Sequence, residues 1–289
     1  MTDPSRVDEL QPGDHACLTF SDVDERLDLV AAFIRDGLRL GDRVLCITDS
    51  VPCSALHAEL AGRGLPIDEA TQAGRLHLAT SAETYLAEGS FAANRMLDLL
   101  SDRIEQARSE GYRALRIAGD MSWALRPVAG VDELMTYESQ LRSLLADGGG
   151  IAICQYDRRC FDPVTLAGVT AAHELAVAAV TYHDDALLRI CRQYVPGGLR
   201  VAGELDYRAV APLTRALTES LSLDEHVHVN LTQLAFIDVQ AAGALLQAAL
   251  SLATGQRMVL RCRPLIHKVL RTLGADEIPQ LDLVISDDE

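Results

Sequence analysis

Short apolar runs alternate with longer stretches of helical periodicity through the first 195 residues, and this alternation restricts the fold more than any other feature. Each run has the length of a buried strand. The runs cover residues 15–20, 43–48, 76–79, 114–118 and 150–156. Residues 25–38 and 92–108 repeat apolar side chains with the period of an amphipathic helix. Strands that alternate with helices are typical of a mainly parallel sheet covered on both faces, so an α/β fold is predicted.

The remainder of the chain repeats this pattern on a smaller scale. Strands are predicted at 199–205, 227–231 and 258–262, and helices at 208–221 and 239–252. A further helix is predicted to begin at Pro264 and to end at Gly274, because proline is favoured in the first helical turn and glycine just after the last. The second part therefore also has an α/β pattern.

The segment Tyr194-Val-Pro-Gly-Gly198 separates the two patterns. Proline followed by two glycines strongly marks a turn or a linker. We therefore expect one domain at residues 1–195 and a second at 199–289. Two domains also agree with the length of 289 residues, at roughly 100–200 residues per domain.

The charge of the chain argues against two classes of partner. It has 26 Lys and Arg residues against 42 Asp and Glu residues, which gives a formal net charge of −16. Such a chain gains nothing from counterion release on a phosphate backbone, and anionic membrane surfaces repel it. We expect neither nucleic acid nor membrane as a partner.

Cysteine usage and hydropathy indicate a reduced, cytoplasmic protein. The seven cysteines form no CxxC pair, which fits neither a disulfide framework nor a zinc ribbon. The first 20 residues lack the basic start and apolar core of a signal peptide. The least polar stretch, 241–254, is too short to span a bilayer.

The segment from Val229 to Gly243 is the most informative part of the second domain. A predicted strand leads through a loop to Asp238, which is placed to cap the next helix. The start of a helix offers free backbone N–H groups and a positive dipole end, so a phosphorylated hydroxyl one residue further on would be stabilised. The residue at that position is Val239, which has no hydroxyl.

Together with the Gly203-Glu-Leu-Asp206 element and the pattern at 259–274, this segment resembles the STAS domain, the anti-sigma-factor-antagonist fold. The resemblance covers about residues 199–285. It implies docking onto an anti-sigma factor that is a histidine-kinase-like ATPase, and in that family this kinase phosphorylates a Ser or Thr directly after the conserved Asp. Val239 cannot accept a phosphoryl group, so we expect this off-switch to be absent. The residues implied in partner binding are Asp238, Val239, Gln240 and Gly243.

The loop after the first strand bears on nucleotide binding. Many α/β ATPases carry the phosphate loop GxxxxGK[ST] at this position. Here the loop is Ser21-Asp-Val-Asp-Glu25, which has no glycine or lysine and contains three carboxylates that would repel a triphosphate. No other match to the phosphate-loop pattern occurs in the chain, so we expect no ATP hydrolysis at this site.

Several motifs of the first domain resemble the MEDS sensory domain, a family named for methanogen, methylotroph and dichloromethane-regulator proteins. The matching motifs lie at 13–17 with Phe20, and at 24–26, 37–44, 117–125 and 153–161. The resemblance implies a RecA/KaiC-type parallel sheet that lacks the phosphate loop, and a sensor of small, hydrocarbon-like ligands. The expected architecture is this α/β domain followed by a small STAS α/β domain.

Six residues of the first domain are candidates for binding that ligand. They are His15, Cys17, Asp120, Trp123, Tyr156 and Asp157. Three of them lie at predicted strand ends, where parallel sheets bind ligands. A related ATPase would hold magnesium at Asp120, but without a phosphate loop we expect a pocket or structural role there. Trp123 is interpreted either as core or as a pocket wall, and a structural hydrogen-bond role for Tyr156 and Asp157 remains open.

His15 and Cys17 also raise the question of a metal. Strand periodicity places both side chains on one face, but zinc requires three or four ligands. Cys154 and His173 complete a set only if the fold brings them close. Our expectation is no metal and no cofactor, with core packing or ligand lining as the role of His15 and Cys17 and redox sensing as an alternative.

No enzyme motif is present in the sequence. The patterns GxSxG, HExxH and a post-strand GxGxxG are absent. A catalytic site would need an unforeseen cluster, such as Asp120, His15 and Cys17 within bonding distance. We therefore expect a non-catalytic protein.

These inferences describe a signalling protein whose MEDS-like domain receives a small ligand or a protein cue. Its STAS-like domain is expected to bind an anti-sigma factor and so raise transcription indirectly. Because Val239 cannot be phosphorylated, regulation is expected from the first domain masking or exposing the helix 239–252. The alternative is a non-catalytic scaffold or dimerisation component, a homo-oligomer within a larger sensory complex.

Overall fold

The computed structural model describes residues 5–286, and the chain divides into two compact units, one ending at Ala178 and the other beginning at Ala179. The strands of the first unit are β1 (His15–Phe20), β2 (Arg43–Thr48), β3 (Leu76–Thr80), β4 (Leu115–Asp120), β5 (Gly150–Asp157) and β6 (Leu175–Ala176). Its helices are α1 (Val23–Leu40), α2 (Cys53–Gly62), α3 (Ile67–Gln72), α4 (Ala93–Ser109), α5 (Leu134–Leu145) and α6 (Pro163–Ala172). A 3-10 helix, Met121–Leu125, follows β4 directly.

Among the described residues, the strands of the first unit form one parallel sheet in the order β3-β2-β4-β5-β1-β6. Every residue of β5 is buried, as expected for a central strand with helices on both faces. The prediction of a parallel α/β sheet is confirmed.

Side-chain capping explains where two helices of the first unit begin. The Asp22 carboxylate accepts a hydrogen bond of 2.9 Å from the backbone N–H of Glu25 at the start of α1. α1 ends at Gly41, which has the left-handed φ of 81° that favours glycine. Asp162 caps α6 in the same way, and Pro163 occupies the first helical position. Asp22, one of the three carboxylates in the loop at the usual phosphate-loop position, is therefore a helix cap.

The second unit contains a mixed sheet and three α-helices within the residues described. Its strands are β7 (Thr181–Asp184), β8 (Leu188–Tyr194), β9 (Gly197–Leu205), β10 (His226–Leu231), β11 (Leu234–Ile237), β12 (Arg257–Cys262) and β13 (Leu281–Ile285). The helices are α7 (Val210–Leu223), α8 (Val239–Leu250) and α9 (Pro264–Thr272). The strand order is β13-β12-β10-β9-β8-β7, and β11 pairs with β9. The β7–β8 and β8–β9 pairs are antiparallel and the other pairs are parallel.

The division between the units lies earlier in the chain than the predicted boundary of 1–195 and 199–289. The segment around Pro196 is the turn of the β8–β9 hairpin, in which Tyr194 pairs with Gly197. Proline and glycine favour a tight hairpin turn as much as a linker, so the sequence pattern did not separate these two possibilities. A cut at this segment would separate β7 and β8 from the sheet that they extend.

The last predicted helix agrees closely with the structure. α9 begins at Pro264, and Gly274 has a φ of 93° just beyond the helix end. The least polar stretch of the sequence forms α8 and the turn after it. No helix between residues 5 and 286 has both the length and the apolar character that crossing a membrane requires.

Candidate functional site

Four buried side chains from separate elements of the first unit point towards one another on one face of the sheet. His15 lies on β1, Cys154 on β5 and Glu138 on α5, and His173 directly follows α6. The His15 Nε2 atom is 3.4 Å from Cys154 Sγ and 3.1 Å from Glu138 Oε2, and His173 Nε2 is 3.4 Å from the same carboxylate oxygen. One potential ligand atom from each residue lies within 4.8 Å of all the others. We call these four residues the His–Glu–Cys centre.

The parallel register of β1 and β5 assembles half of this centre. His15 pairs with Ala152 and Cys17 pairs with Cys154, so the side chains of alternate residues share one face of the two strands. A complete ligand set around His15 and Cys17 was expected only if Cys154 and His173 lay close to them. The structure brings His15, Cys154 and His173 together. Cys17 is buried nearby but is not one of the four residues.

Glu138 was missed by the sequence analysis, although a signal for it exists. Leu134, Leu141 and Leu145 form the buried face of α5. Glu138 lies four residues after the first leucine and three before the second, so helical periodicity places its carboxylate on that apolar face. A carboxylate on the buried face of a helix needs a partner, because burying an unpaired charge is costly.

The hydrogen bonds around the centre leave several atoms without partners. The Tyr156 hydroxyl donates to Glu138 Oε1, and His173 Nδ1 lies 2.7 Å from the carbonyl oxygen of Val169. Within residues 5–286, His15 Nδ1, Glu138 Oε2 and His173 Nε2 have no partner with hydrogen-bond geometry. The last two of these atoms face each other.

Burial shifts the pKa values of the ionisable side chains in and beside the His–Glu–Cys centre. Burial, together with the nearby charge of Glu138, raises the pKa of Cys17 to about 12, and burial also raises the pKa of Cys154. Burial would raise the pKa of Glu138 as well, but its contacts with His15 and His173 outweigh that effect and lower it. Desolvation lowers the pKa of His173. Redox sensing by Cys17 is disfavoured because a reactive cysteine requires an accessible thiolate.

Asp120 lies at the end of β4 on the opposite face of the sheet. It pairs in register with Gln155, whose side chain points away from the neighbouring Cys154 and Tyr156. The Asp120 carboxylate and the Gln155 amide oxygen both accept hydrogen bonds from Arg26 of α1, at 2.8 and 2.7 Å. The structure therefore does not bring Asp120 together with His15 and Cys17.

The Asp120 carboxylate is fully buried and saturated with donors. Its Oδ2 atom accepts hydrogen bonds from Arg26, from the Ser50 hydroxyl and from the backbone N–H groups of Asp49 and Ser50. Its Oδ1 atom accepts two more from the backbone N–H and hydroxyl of Ser122. No lone pair is left over for a magnesium ion, so these contacts support a structural role for Asp120.

The same contacts imply a specific acid dependence of stability. Burial would raise the Asp120 pKa, but the Arg26 charge and the hydrogen bonds from Ser50 lower it to about 2. Because this value is below the unfolded pKa of about 3.9, the stabilisation is present above the unfolded value and is lost as the pH falls towards 2. Between about pH 5 and about pH 3 we expect wild type to lose roughly 1 kcal/mol more unfolding free energy than Asp120→Asn. Denaturant unfolding at the two pH values measures this, and equal losses in both proteins would contradict it.

Trp123 is fully buried in an aromatic cluster beside β4. Its ring centroid lies 4.4 Å from that of Phe91 and 5.2 Å from that of Tyr85, and Tyr137 packs edge-on against both of these neighbours. The Trp123 indole N–H has no hydrogen-bond partner among the described residues. Trp123 is therefore a core residue here, and its role in ligand binding stays a prediction.

Tyr156 and Asp157 are neighbours in sequence but point to opposite faces of β5. The Tyr156 hydroxyl reaches Glu138, so it links the strand to α5. The Asp157 carboxylate accepts bonds of 2.9, 3.0 and 2.7 Å from the backbone and side chain of Arg159. These bonds from Arg159 lower the pKa of Asp157 and hold the turn after β5.

Asp238 of the second unit caps α8, as the sequence analysis expected. Its Oδ1 atom accepts a hydrogen bond of 2.8 Å from the backbone N–H of Ala241. Its Oδ2 atom accepts another of 2.8 Å from the backbone N–H of Tyr207, which lies in the short 3-10 helix before α7. The cap therefore also ties the start of α8 to the segment that follows β9.

The first turn of α8 presents an apolar surface to solvent. Val239 is 67% exposed, and two neighbouring aromatic residues, Tyr207 and Phe236, are 62% and 50% exposed. Gln240 is also exposed, whereas Gly243 is half-buried one turn further along the helix. We call Tyr207, Phe236, Val239 and Gln240 the α8 surface.

The chain matches two protein families in the order of its two units. Residues 14–174 match the MEDS family, described as the methanogen/methylotroph, DcmR sensory domain. Residues 188–284 match the family described as "Mlab, STAS domain". The second match includes β8, which agrees with the division of the chain in the structure.

One curated relative and two solved structures illustrate what the first unit is similar to. The transcriptional repressor DcmR of Methylorubrum extorquens is 28% identical over 164 residues, which are 56% of this chain and 58% of the relative. A KaiC-like protein from Pyrococcus horikoshii is 17% identical, with a TM-score of 0.46 over 63% of this chain and 78% of its own. The flagellar accessory protein FlaH from Methanocaldococcus jannaschii is 11% identical, with a TM-score of 0.44 over 67% and 86%.

The family assignment depends on the sequence matches and not on these structural likenesses. The MEDS match extends from residue 14 to residue 174 of 289 residues, which is more than half of the chain. It contains all four residues of the His–Glu–Cys centre as well as Arg26 and Asp120. This protein belongs to the MEDS family, and a STAS domain follows its MEDS domain.

Proposed function

We propose that this protein is a signalling regulator whose MEDS domain receives a small, hydrocarbon-like ligand and whose STAS domain binds an anti-sigma factor of the histidine-kinase-like ATPase type. The two family matches support a regulatory role. The printed name of the DcmR relative, a transcriptional repressor, supports an effect on transcription. The match spans 58% of that relative, so the sign of the effect is not carried over from it.

The α8 surface is the observation that carries the proposal. Its three apolar side chains are each at least half exposed, and the bond from the Tyr207 backbone to Asp238 holds the two halves of the surface together. Exposed apolar side chains flanked by polar ones are typical of protein-docking sites. Gln240 supplies a polar edge at the helix start.

Regulation in this proposal does not use phosphate transfer to the STAS domain. Val239 occupies the first helical position and has no hydroxyl. The nearest upstream hydroxyl belongs to Thr232, which donates a hydrogen bond of 2.8 Å to the Asn230 side chain and is half-buried. We therefore infer that occupancy of the MEDS domain changes access to the α8 surface.

Replacing Val239 with aspartate is expected to weaken partner binding by at least about tenfold, because docking would bury an unpaired carboxylate. An acidic residue is favourable in the first turn of a helix, so folding is expected to be retained. The measurement is affinity co-purification of the full-length chain from its native cell, followed by a titration with the purified ATPase. Val164→Asp is the matched control, since Val164 is an exposed valine in the first turn of α6 behind the Asp162 cap.

The expected result is recovery of a histidine-kinase-like ATPase with wild type and Val164→Asp but not with Val239→Asp. Equal recovery with both variants would show that the α8 surface is not the docking site. Recovery of only this chain or of other STAS proteins would favour the scaffold alternative.

A further inference from the structure

The His–Glu–Cys centre contains four potential metal-ligand atoms, and packing of an apolar core requires none of them. Two imidazoles, a thiol and a carboxylate converge from β1, β5, α5 and the end of α6, and all four residues are buried. Imidazole nitrogen, thiolate sulfur and carboxylate oxygen are the three ligand types that zinc takes in proteins. All four residues of the centre lie within the MEDS domain.

The hydrogen bond of His173 to the backbone leaves its Nε2 atom facing the Glu138 carboxylate in the middle of the centre. Its Nδ1 atom lies 2.7 Å from the Val169 carbonyl oxygen and therefore carries a proton, so the Nε2 atom carries a lone pair in the neutral ring. That Nε2 atom is 3.4 Å from Glu138 Oε2, with no hydrogen-bond geometry between them. In a site closed to water, a carboxylate oxygen and an imidazole nitrogen that face each other are stabilised by a cation between them, which is either a proton or a metal ion.

The spacing of the donor atoms fits a tetrahedral ion. Metal–ligand bonds of 2.0 to 2.3 Å at tetrahedral angles place neighbouring donor atoms about 3.4 Å apart. The measured separations are 3.1 Å from His15 Nε2 to Glu138 Oε2, 3.4 Å from that carboxylate oxygen to His173 Nε2, and 3.4 Å from His15 Nε2 to Cys154 Sγ. The remaining pairs lie within 4.8 Å, a distance that side-chain rotation can shorten around a bound ion.

Two of the four side chains also have the outer contacts of metal ligands. Ligating histidines usually donate the other ring N–H to a carbonyl or a carboxylate, and ligating carboxylates are themselves hydrogen-bonded. His173 makes the first type of contact with Val169, and Glu138 makes the second with Tyr156. Both contacts fix the orientation of the donor atom that faces the centre.

We propose that the His–Glu–Cys centre binds one divalent transition-metal ion of the zinc class. On binding, a metal–sulfur bond replaces the S–H bond of Cys154, and the thiol proton is released to solvent. Four protein ligands complete a tetrahedral shell, which is the arrangement of a structural site rather than a catalytic one. The ion would join β1, β5, α5 and the end of α6, so its binding energy adds to the stability of the MEDS domain.

The test uses the full-length chain purified without a histidine tag. We expect about one zinc-class ion per chain in the purified protein by elemental mass spectrometry. After chelation, titration with Co²⁺ is expected to produce the absorption bands of a tetrahedral site and a thiolate-to-cobalt charge-transfer band. Absence of bound metal together with absence of these bands would overturn the proposal.

A matched pair of cysteine variants locates the site. Cys154→Ala and Cys17→Ala each remove a buried thiol from residues that pair in register on adjacent strands. We expect Cys154→Ala to lose the charge-transfer band and Cys17→Ala to keep both the band and the ion. Persistence of the band in Cys154→Ala, or its equal loss in Cys17→Ala, would reject the assigned ligand set.

A second variant covers the case in which Cys154→Ala does not fold. Glu138→Gln keeps the shape of the side chain but removes its charge, and it is expected to weaken Co²⁺ binding at least about tenfold. Fluorescence of Trp123, the single tryptophan, checks that each variant is folded. Unchanged Co²⁺ affinity in a folded Glu138→Gln protein would also contradict the proposal.

Discussion

Replacing Arg26 with methionine is expected to destabilise the MEDS domain by about 3–5 kcal/mol, because it leaves the Asp120 carboxylate buried without a cation. Asp120 is fully buried and Arg26 is 4% exposed, so water cannot replace the lost charge. Methionine keeps the apolar stem of the side chain but loses the guanidinium group, whose central carbon lies 5.0 Å from the centroid of the Phe20 ring. The expected loss therefore reports mainly the charge and hydrogen bonds of the guanidinium group, with a smaller contribution from its lost packing over Phe20.

The measurement is denaturant unfolding followed by the fluorescence of Trp123, which lies in the same domain and is the single tryptophan of the chain. Arg39→Met is the matched control on the same helix, because the Arg39 side chain is 71% exposed and its ion pair with Asp36 is 3.9 Å long. That variant is expected to change stability by less than about 0.5 kcal/mol. Equal effects of the two substitutions would show that Arg26 does not stabilise Asp120.

A double variant separates the charge from the shape of the side chain. Asp120→Asn combined with Arg26→Met removes both charges and should recover part of the loss, since a neutral amide is cheaper to bury than a carboxylate. If the double variant were less stable than Arg26→Met alone, the hydrogen bonds of Asp120 to Ser50 and Ser122 would be the dominant contribution.

The main strands and the two longest helices of the first unit were predictable from the sequence because the first sheet is parallel and buried on both faces. Its central strands are then mostly apolar, and α1 and α4 have a clear amphipathic period. α2 and α6 lack such a period and were not predicted. The β8–β9 hairpin could not be predicted in this way. Pro196 and Gly197 indicate a break in helical or strand pattern, but whether the chain leaves the sheet or returns along it depends on pairing with distant strands.

The candidate site was predictable only in part, for a similar reason. Strand periodicity correctly placed His15 and Cys17 on one face, but the register of β1 against β5 decides which cysteine approaches His15. Glu138 comes from a helix whose packing on that face is a tertiary contact. Arg26 was part of a family motif, yet its bond to Asp120 joins residues far apart in the sequence. The periodicity of a strand or helix predicts which side chains share one of its faces. The side chains that they meet on other elements depend on strand register and on tertiary packing.

Gly203→Ala is expected to destabilise the STAS domain by about 4 kcal/mol, from backbone strain and steric overlap together. Gly203 belongs to the Gly-Glu-Leu-Asp element that marked the STAS resemblance, and its φ of 107° is unfavourable for any residue with a side chain. A Cβ atom there would lie 2.0 Å from the Leu187 carbonyl oxygen and 2.9 Å from the carbonyl carbon. Because these are backbone atoms of the adjoining loop, no side-chain rotation relieves the overlap.

Gly203 also lies where β9 pairs with both β8 and β11. A shift of its backbone would therefore disturb all three strands. It pairs in register with Leu188 of β8 and Leu234 of β11, and its N–H donates a hydrogen bond of 3.0 Å to the Gln233 carbonyl. Moving this backbone separates the hairpin from β11, the strand that leads into the α8 surface. We therefore expect partner binding to fall together with stability.

Hydrogen–deuterium exchange of amides in β9 and β10 measures the expected loss, because the second unit has no tryptophan to report its unfolding. Gly255→Ala is the matched control. Gly255 has a similar φ of 94°, but a Cβ atom there meets no other atom within 4 Å in the described part of the chain, so only the strain of about 1 kcal/mol applies. A difference between the two variants measures the close approach of β9 to Leu187, whereas equal losses would mean that φ alone requires glycine in this element.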